Sequence, residues 1–333
     1  MIWQLSYTTA STELTFYHSA MKPEYREEPC RTALNRVTGM SFRWSLNPYT
    51  GCAHRCTFCF VRAFELRADR PFDDRYGTSI RVKTNIAEVL ERELSRKSWK
   101  RELVVLGTAT DPYQPAEGRY RLSRALVATI ARHSTPLHII TRGPMIVRDI
   151  DVLCDAARRA KVSITFSVPT LDHEIWRKTE IGTAPPRQRL RALRQLVDAG
   201  LDVGVGMAPI LPGLSDRPDL LEDVVRAARD AGATGVWANL LYLRPGTREH
   251  FLDALGRDWP DLLPMYEGLY EGGAYLPKAV GEPARRTVRE LVKRHGIEDR
   301  RAVRLAPPPE PEQLTFPLAP GDGRTRIVPP SAG

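Results

Sequence analysis

Apolar positions along the chain switch repeatedly between two periods. Phe42-Arg-Trp44-Ser-Leu46 alternates apolar with polar, the period of a strand. Between Asn85 and Arg96 the period lengthens, and Ile86, Val89, Leu90 and Leu94 fall on one helical face. Residues 103–106 form a short apolar run, which reads as a buried parallel strand. The exchange then repeats. Strands are predicted over 137–140, 162–168, 201–208 and 236–242. Helices are predicted over 120–133, 146–160, 187–199 and 218–231. Strands alternating with helices of this length imply parallel βαβ units with right-handed crossovers. Six of them predict an α/β fold: a partial (β/α)6 parallel TIM-like barrel over 42–245. Residues 1–41 carry no strong period and read as an N-terminal extension packed on it. Residues 61–82 are charged and irregular. Residues 246–304 read as a C-terminal helical cover, and the Pro-rich stretch 305–333 as a disordered tail.

Composition narrows the picture only slightly. A chain of 333 residues is long enough for one α/β barrel with a sizeable core. The net charge of +9 favours encounter with a polyanion, although a merely basic enzyme would carry it too. Five cysteines, with Cys30 and Cys154 isolated, are not a disulfide framework, so a reducing, cytoplasmic setting is expected. The first twenty residues lack the charged start and apolar run of a signal peptide. No apolar run reaches the length of a membrane span.

The chemistry concentrates in Asn47-Pro-Tyr-Thr-Gly-Cys52-Ala-His-Arg-Cys56-Thr-Phe-Cys59-Phe60. Three thiols spaced C-x3-C-x2-C point to a metal centre. A closed structural site wants four protein ligands. Three thiolates on a four-iron cluster leave one iron open to a substrate or cofactor. With His54 as fourth donor, the same residues could instead make a Cys3His zinc knuckle. Spacing alone leaves both readings standing. The loop follows the first strand directly, and parallel barrels place their chemistry at that end.

The flanking residues add a resemblance. Asn-Pro-Tyr-x-Gly-Cys before the first thiol, and Phe58 before the third, resemble the cluster loop of the radical S-adenosylmethionine (SAM) superfamily. The likeness is greatest to its spore-photoproduct-lyase-like branch, and it spans about residues 42–245. It implies a [4Fe-4S] cluster on Cys52, Cys56 and Cys59, with SAM on the open iron. It also implies reductive cleavage of SAM to a 5′-deoxyadenosyl radical that abstracts hydrogen, and a reductant of flavodoxin or ferredoxin type. Gly107-Thr-Ala-Thr110-Asp111-Pro-Tyr-Gln-Pro resembles the family's strand-two motif, so Thr110 and Asp111 are expected at the SAM ammonium. Arg142 would clamp the carboxylate where related families tend to have Lys. Ser167 and Thr170 fit ribose contacts. The stretch Gly206-Met-Ala-Pro-Ile210-Leu-Pro-Gly213 resembles the backbone platform laid against adenine, with Asn239 and Tyr242 closing the site. Asp172, His173 and Glu174 read as an acidic helix start rather than a metal set.

The substrate is less legible. Spore photoproduct lyases carry a Cys near the end of strand two that returns a hydrogen atom, and here Thr108 stands at that position. Two basic stripes, Arg187/Arg191/Arg194 and Arg286/Arg289/Lys293, could neutralise the phosphates of nucleic acid, although solvated helix faces look the same. Gln313-Leu-Thr-Phe316-Pro-Leu318 in the tail loosely resembles the segment with which bacterial replication proteins dock on the sliding clamp. The competing expectation is a non-catalytic, zinc-containing nucleic-acid-binding protein on a barrel scaffold. A protein-modifying radical SAM activase is a third, disfavoured by the lack of a second cysteine cluster.

Overall fold

The computed structural model describes residues 23–297. The tail, its clamp-like segment and the first 22 residues lie outside the described residues. In chain order, the first strands are β1 (Glu24–Glu28), β2 (Leu34–Arg36), β3 (Trp44–Leu46) and β4 (Tyr49–Thr50). Helix α1 (Arg62–Arg67), β5 (Ser79–Lys83), α2 (Ile86–Leu94) and β6 (Val104–Leu106) follow. Next come α3 (Ala116–Tyr120), α4 (Leu122–Arg132), β7 (Leu137–Thr141), α5 (Ile150–Arg159) and β8 (Val162–Ser167). The chain continues through α6 (His173–Thr179), α7 (Pro186–Asp198), β9 (Asp202–Ile210), α8 (Pro218–Asp230) and β10 (Val236–Leu240). It closes with α9 (Thr247–Asp258), α10 (Leu263–Leu269) and α11 (Lys278–Arg294).

Strands β3, β6, β7, β8, β9 and β10 lie side by side in that order, all parallel, and β2 adds an antiparallel edge on β3. The alternation in the sequence therefore does give a partial TIM-like α/β barrel. Along β8, Ile164 and Phe166 join Leu153 and Leu193 in the helix-covered core, while Ser163, Thr165 and Ser167 take the opposite, helix-free face.

Two expectations need correction. The stretch 61–82 is not irregular: it holds α1 and β5. Ile80 and Val82 of β5 are fully buried and alternate with Arg81 and Lys83, a period of only two apolar positions within a charged stretch. Strand β5 pairs with β1 in parallel and with β4 in antiparallel, forming a second small sheet. The helix expected over 120–133 begins only at Leu122, because Arg121 takes a left-handed conformation (φ 51°) that separates α3 from α4.

The C-terminal helices pack on the barrel mouth. Phe251 and Leu255 of α9 and Tyr266 of α10 share an apolar cluster with Cys56, Phe58 and Leu241. Tyr266 and Tyr270 donate their hydroxyls to the carbonyls of Pro212 and Leu241, each at 2.7 Å. His250 of α9 is buried, and burial, helped by Arg62, lowers its pKa from 6.5 to about 4. Its neutral form is thus the one the fold prefers. The stability it contributes is present above pH 6.5 and lost as pH falls toward 4. Urea unfolding at a series of pH values should show this slope, and His250→Gln should flatten it.

Candidate functional site

The three cysteines sit on a short loop at the C-terminal end of β3. Gly51 starts it with φ +87°, and Arg55 turns it in the left-handed region. Neighbouring backbone presses on it closely. A Cβ on Gly182 would stand 2.4 Å from the carbonyl oxygen of Ala53, so only glycine fits there. The amides of Gly182 and Thr57 tie the two segments by bonds to His54 O and Thr179 O, both 2.9 Å. Behind the loop, the buried Arg62 guanidinium lies 4.6 Å from the Tyr76 ring centre and donates to the carbonyls of Phe72 and Asp73. Tyr76 in turn brings its hydroxyl to 3.7 Å from Cys59 Sγ.

All three thiols are free. Burial pushes the Cys52 thiol well above its ordinary value, and Asp111, Cys59 and Cys56 add to the shift. Burial also lifts Cys56, to about 12, against the pull of Arg142. Cys52 and Cys56 are therefore held as neutral thiols, and a cationic metal centre is what would draw off their protons.

Asp111 is a hub. Its Oδ1 accepts from Tyr113 N (2.8 Å) and from the Thr141 hydroxyl (2.7 Å), and its Oδ2 accepts from Arg142 N (2.6 Å). His54 Nδ1 stands 3.3 Å from Oδ2. Burial opposes its charge, yet His54, Thr141 and the Arg142 amide together hold its pKa at about 2. Thr110 is equally committed: it donates to Gly51 O (2.6 Å) and accepts from Gln114 Nε2 (2.8 Å). Gln114 Oε1 accepts from Ala53 N (2.9 Å). Asn47 spans the ends of β3 and β6, bonding Thr108 Oγ1 (3.1 Å) and Ala109 N (2.8 Å). Thr110 and Asp111 thus stand at the end of β6 with their side chains bonded within the protein. Their polar atoms lock the cysteine loop to the ends of β6 and β7.

Arg142, at the end of β7, lies with its guanidinium 5.6 Å from the Phe58 ring centre. It donates from Nε to Glu180 Oε2 (2.9 Å) and from Nη2 to Ala208 O (3.2 Å). Glu180 is fully buried, and the same Oε2 accepts from Arg189 Nη1 at 2.7 Å. Arg189 also reaches Ser167 O (2.8 Å), so this ion triad joins the ends of β7 and β8 to β9. Among the described residues, Glu180 Oε1 has no partner. Sequence reading missed Glu180 and Arg189 altogether.

The other expected residues are placed as follows. Ser167 ends β8 and Ile210 ends β9, both buried. Thr170 lies beyond β8, and its hydroxyl accepts from Asp172 N (3.0 Å). Asp172 caps α6 by accepting from Ile175 N (2.9 Å), so this acidic segment is a helix start. Phe60, directly after Cys59, stacks on Tyr242, and Tyr242 stacks on Tyr275. Both basic stripes are exposed along α7 and α11.

The Radical SAM superfamily model matches residues 46–224, from the end of β3 into α8. The chain belongs to the radical SAM superfamily. An uncharacterized protein of Mycobacterium tuberculosis is 39% identical over 298 residues, 88% of this chain and 86% of its own. An uncharacterized protein of Acidianus two-tailed virus is 29% identical over 65% of this chain and 72% of its own. A spore photoproduct lyase variant solved with AdoMet and dinucleoside spore photoproduct superposes with a TM-score of 0.64 at 16% identity. That match covers 88% of this chain and 85% of the lyase, and it supports the shared fold.

The superfamily implies SAM and a [4Fe-4S] cluster, and the donors present fit both. Three free cysteines crowd one buried loop. His54, the fourth donor of a zinc knuckle, instead turns Nδ1 to Asp111. Among the described residues no three His, Cys, Asp or Glu side chains are grouped to hold a single metal ion. A cubane asks for less convergence, because each thiolate takes a separate iron. Among the described residues no helix is long and apolar enough to cross a membrane.

Proposed function

We propose that the chain is a radical SAM enzyme in which Cys52, Cys56 and Cys59 hold a [4Fe-4S] cluster with one open iron. The observation that carries the reading is the triple-cysteine loop at the barrel mouth, faced by the Arg142 guanidinium. Arg142 sits above Phe58 with its guanidinium aimed by Glu180, in position to fork the SAM carboxylate. Glu180 Oε1, buried without a protein partner, takes the ammonium in place of the saturated Asp111. Ser167 and Thr170 stay assigned to the ribose, and Ile210 with its neighbouring backbone to the adenine. When bound, cluster and cofactor supply one-electron cleavage of the sulfonium and a 5′-deoxyadenosyl radical for hydrogen abstraction. The protein's share is to orient the cofactor and exclude water, with α9 and α10 sealing the loop. A flavodoxin- or ferredoxin-type protein would deliver the electron.

Nucleic acid is the substrate class this reading favours, supported by the +9 charge and the two exposed Arg/Lys stripes. Return of hydrogen from a protein thiol is not part of the proposal, because Thr108 stands at that point and accepts from Asn47. The test is anaerobic reconstitution. Brown protein with about four irons per chain should release 5′-deoxyadenosine from SAM and dithionite. Colourless zinc protein, or iron-loaded protein that leaves SAM intact, would sink the enzymatic reading.

A further inference from the structure

Trp237 is placed oddly for a strand residue of the barrel. Its register partner is Gly206, and the partner of Gly206 on the next strand is Ser167. Trp237 therefore lies on the helix-free face, level with the site and two strands from Ser167, roughly 10 Å away. The indole covers the place where a side chain on Gly206 would stand. A Cβ there would meet Trp237 Cζ2 at 2.7 Å, Cε2 at 3.0 Å and Thr165 Cγ2 at 3.1 Å. Glycine at 206 thus lets the indole lie against β9. Nevertheless 47% of the tryptophan is accessible. A large apolar ring laid against a sheet inside a barrel, with so much surface left bare, has room for a second ring.

The charge beside it says what that ring carries. β10 is the terminal strand of its sheet among the described residues, and α11 packs beside it. Arg285 of α11 reaches to that strand and donates to Asn239 Oδ1 at 3.4 Å. Asn239 alternates with Trp237 and so shares its face. An aromatic floor and a guanidinium side by side suit an anionic ligand with a planar ring. Stacking surfaces next to basic side chains are how proteins seat single-stranded nucleic acid.

We propose that Trp237 is the stacking floor for a planar heteroaromatic ring of the substrate, and that Arg285 takes the anionic group attached to it. A nucleotide unit has both. The assignment rests on the proposed function for calling this ligand the substrate, but its binding test does not need turnover. The probe is fluorescein-labelled oligothymidylate, titrated anaerobically into the full-length cluster-loaded protein and followed by anisotropy. Trp237→Ala should weaken binding about five- to a hundred-fold, while Trp237→Phe keeps most of it. Arg285→Ala should weaken binding and reduce the salt slope by about one. SAM affinity, read separately by equilibrium dialysis, should not move in either tryptophan variant.

The proposal is overturned if wild-type protein ignores the probe, or if Trp237→Ala binds it as tightly as wild type. It is equally overturned if Trp237→Ala loses SAM and keeps the probe, since the indole would then belong to the cofactor. Should Trp237→Ala not fold, Trp237→Phe and Arg285→Ala decide. Lost binding in the phenylalanine variant, or unchanged binding without Arg285, sinks the idea. Wild type that binds the probe but forms no 5′-deoxyadenosine would instead sink the enzymatic reading and leave the subsite standing.

Discussion

Replacing Cys56 with serine should leave a folded protein that holds almost no iron and forms no 5′-deoxyadenosine above the buffer background. Cys56 is buried, as Cys52 is. It joins the apolar cluster of Phe58, Leu211 and Phe251, and its carbonyl is 3.5 Å from Arg62. A hydroxyl at that point stays protonated at neutral pH and is a far weaker ligand for iron than a thiolate. With two thiolates left, two irons would lie open and the cluster would be lost on handling. Stability should fall by only about 1–2 kcal/mol, the usual cost of an imperfectly satisfied polar atom in a packed site. Iron and sulfide assays, read beside thermal unfolding of the apoproteins, separate these effects. Cys30→Ser and Cys154→Ser serve as controls, because both thiols lie apart from the loop. Full iron occupancy in Cys56→Ser would show that the iron is held elsewhere.

The sequence made the parallel sheet plain because most barrel strands are short, largely apolar segments followed by an amphipathic helix. Burial on both faces of such strands and one face of such helices leaves a strong period. The small sheet was harder to see. β1 reads Glu-Tyr-Arg-Glu-Glu and finds its partner β5 more than fifty residues later, so only tertiary pairing makes it a strand. At the site, the thiols were legible because cysteine spacing carries its own meaning. The polar residues were legible by position and not by partner. Asp111 does stand at the end of β6, but its acceptors are used by Tyr113, Thr141, Arg142 and His54, and no local pattern states that. Arg189 misled in the opposite way. It sits on α7 among the exposed Arg187, Arg191 and Arg194, where an arginine looks solvated, yet it is fully buried on Glu180. Its partner lies in a loop nine residues back, a spacing that no helix or strand period reports.

That hidden pair carries the largest expected effect on stability. Glu180→Ala should cost about 3–5 kcal/mol in urea unfolding of the apoprotein, the usual loss when one member of a buried ion network is removed. The reason is the company it leaves behind. Arg189 is fully buried, and burial already works against its charge, with Glu180 the chief compensation. Without the carboxylate, two guanidiniums face each other beside Cys56 with nothing between them. Arg142 keeps Ala208 O but loses the bond that aims it over Phe58. Glu180→Gln preserves the shape and one acceptor, so its loss should fall between those of wild type and alanine. Pairing Glu180→Ala with Arg189→Met should restore part of the stability, because the stranded charge is then gone. SAM affinity gives the second readout. It should drop in both Glu180 variants, in glutamine by more than its stability loss would explain, since the acceptor assigned to the ammonium has changed. A cost below about 1 kcal/mol, the range of exposed pairs, would mean that the triad is solvated in solution, and the orientation of Arg142 would need another cause.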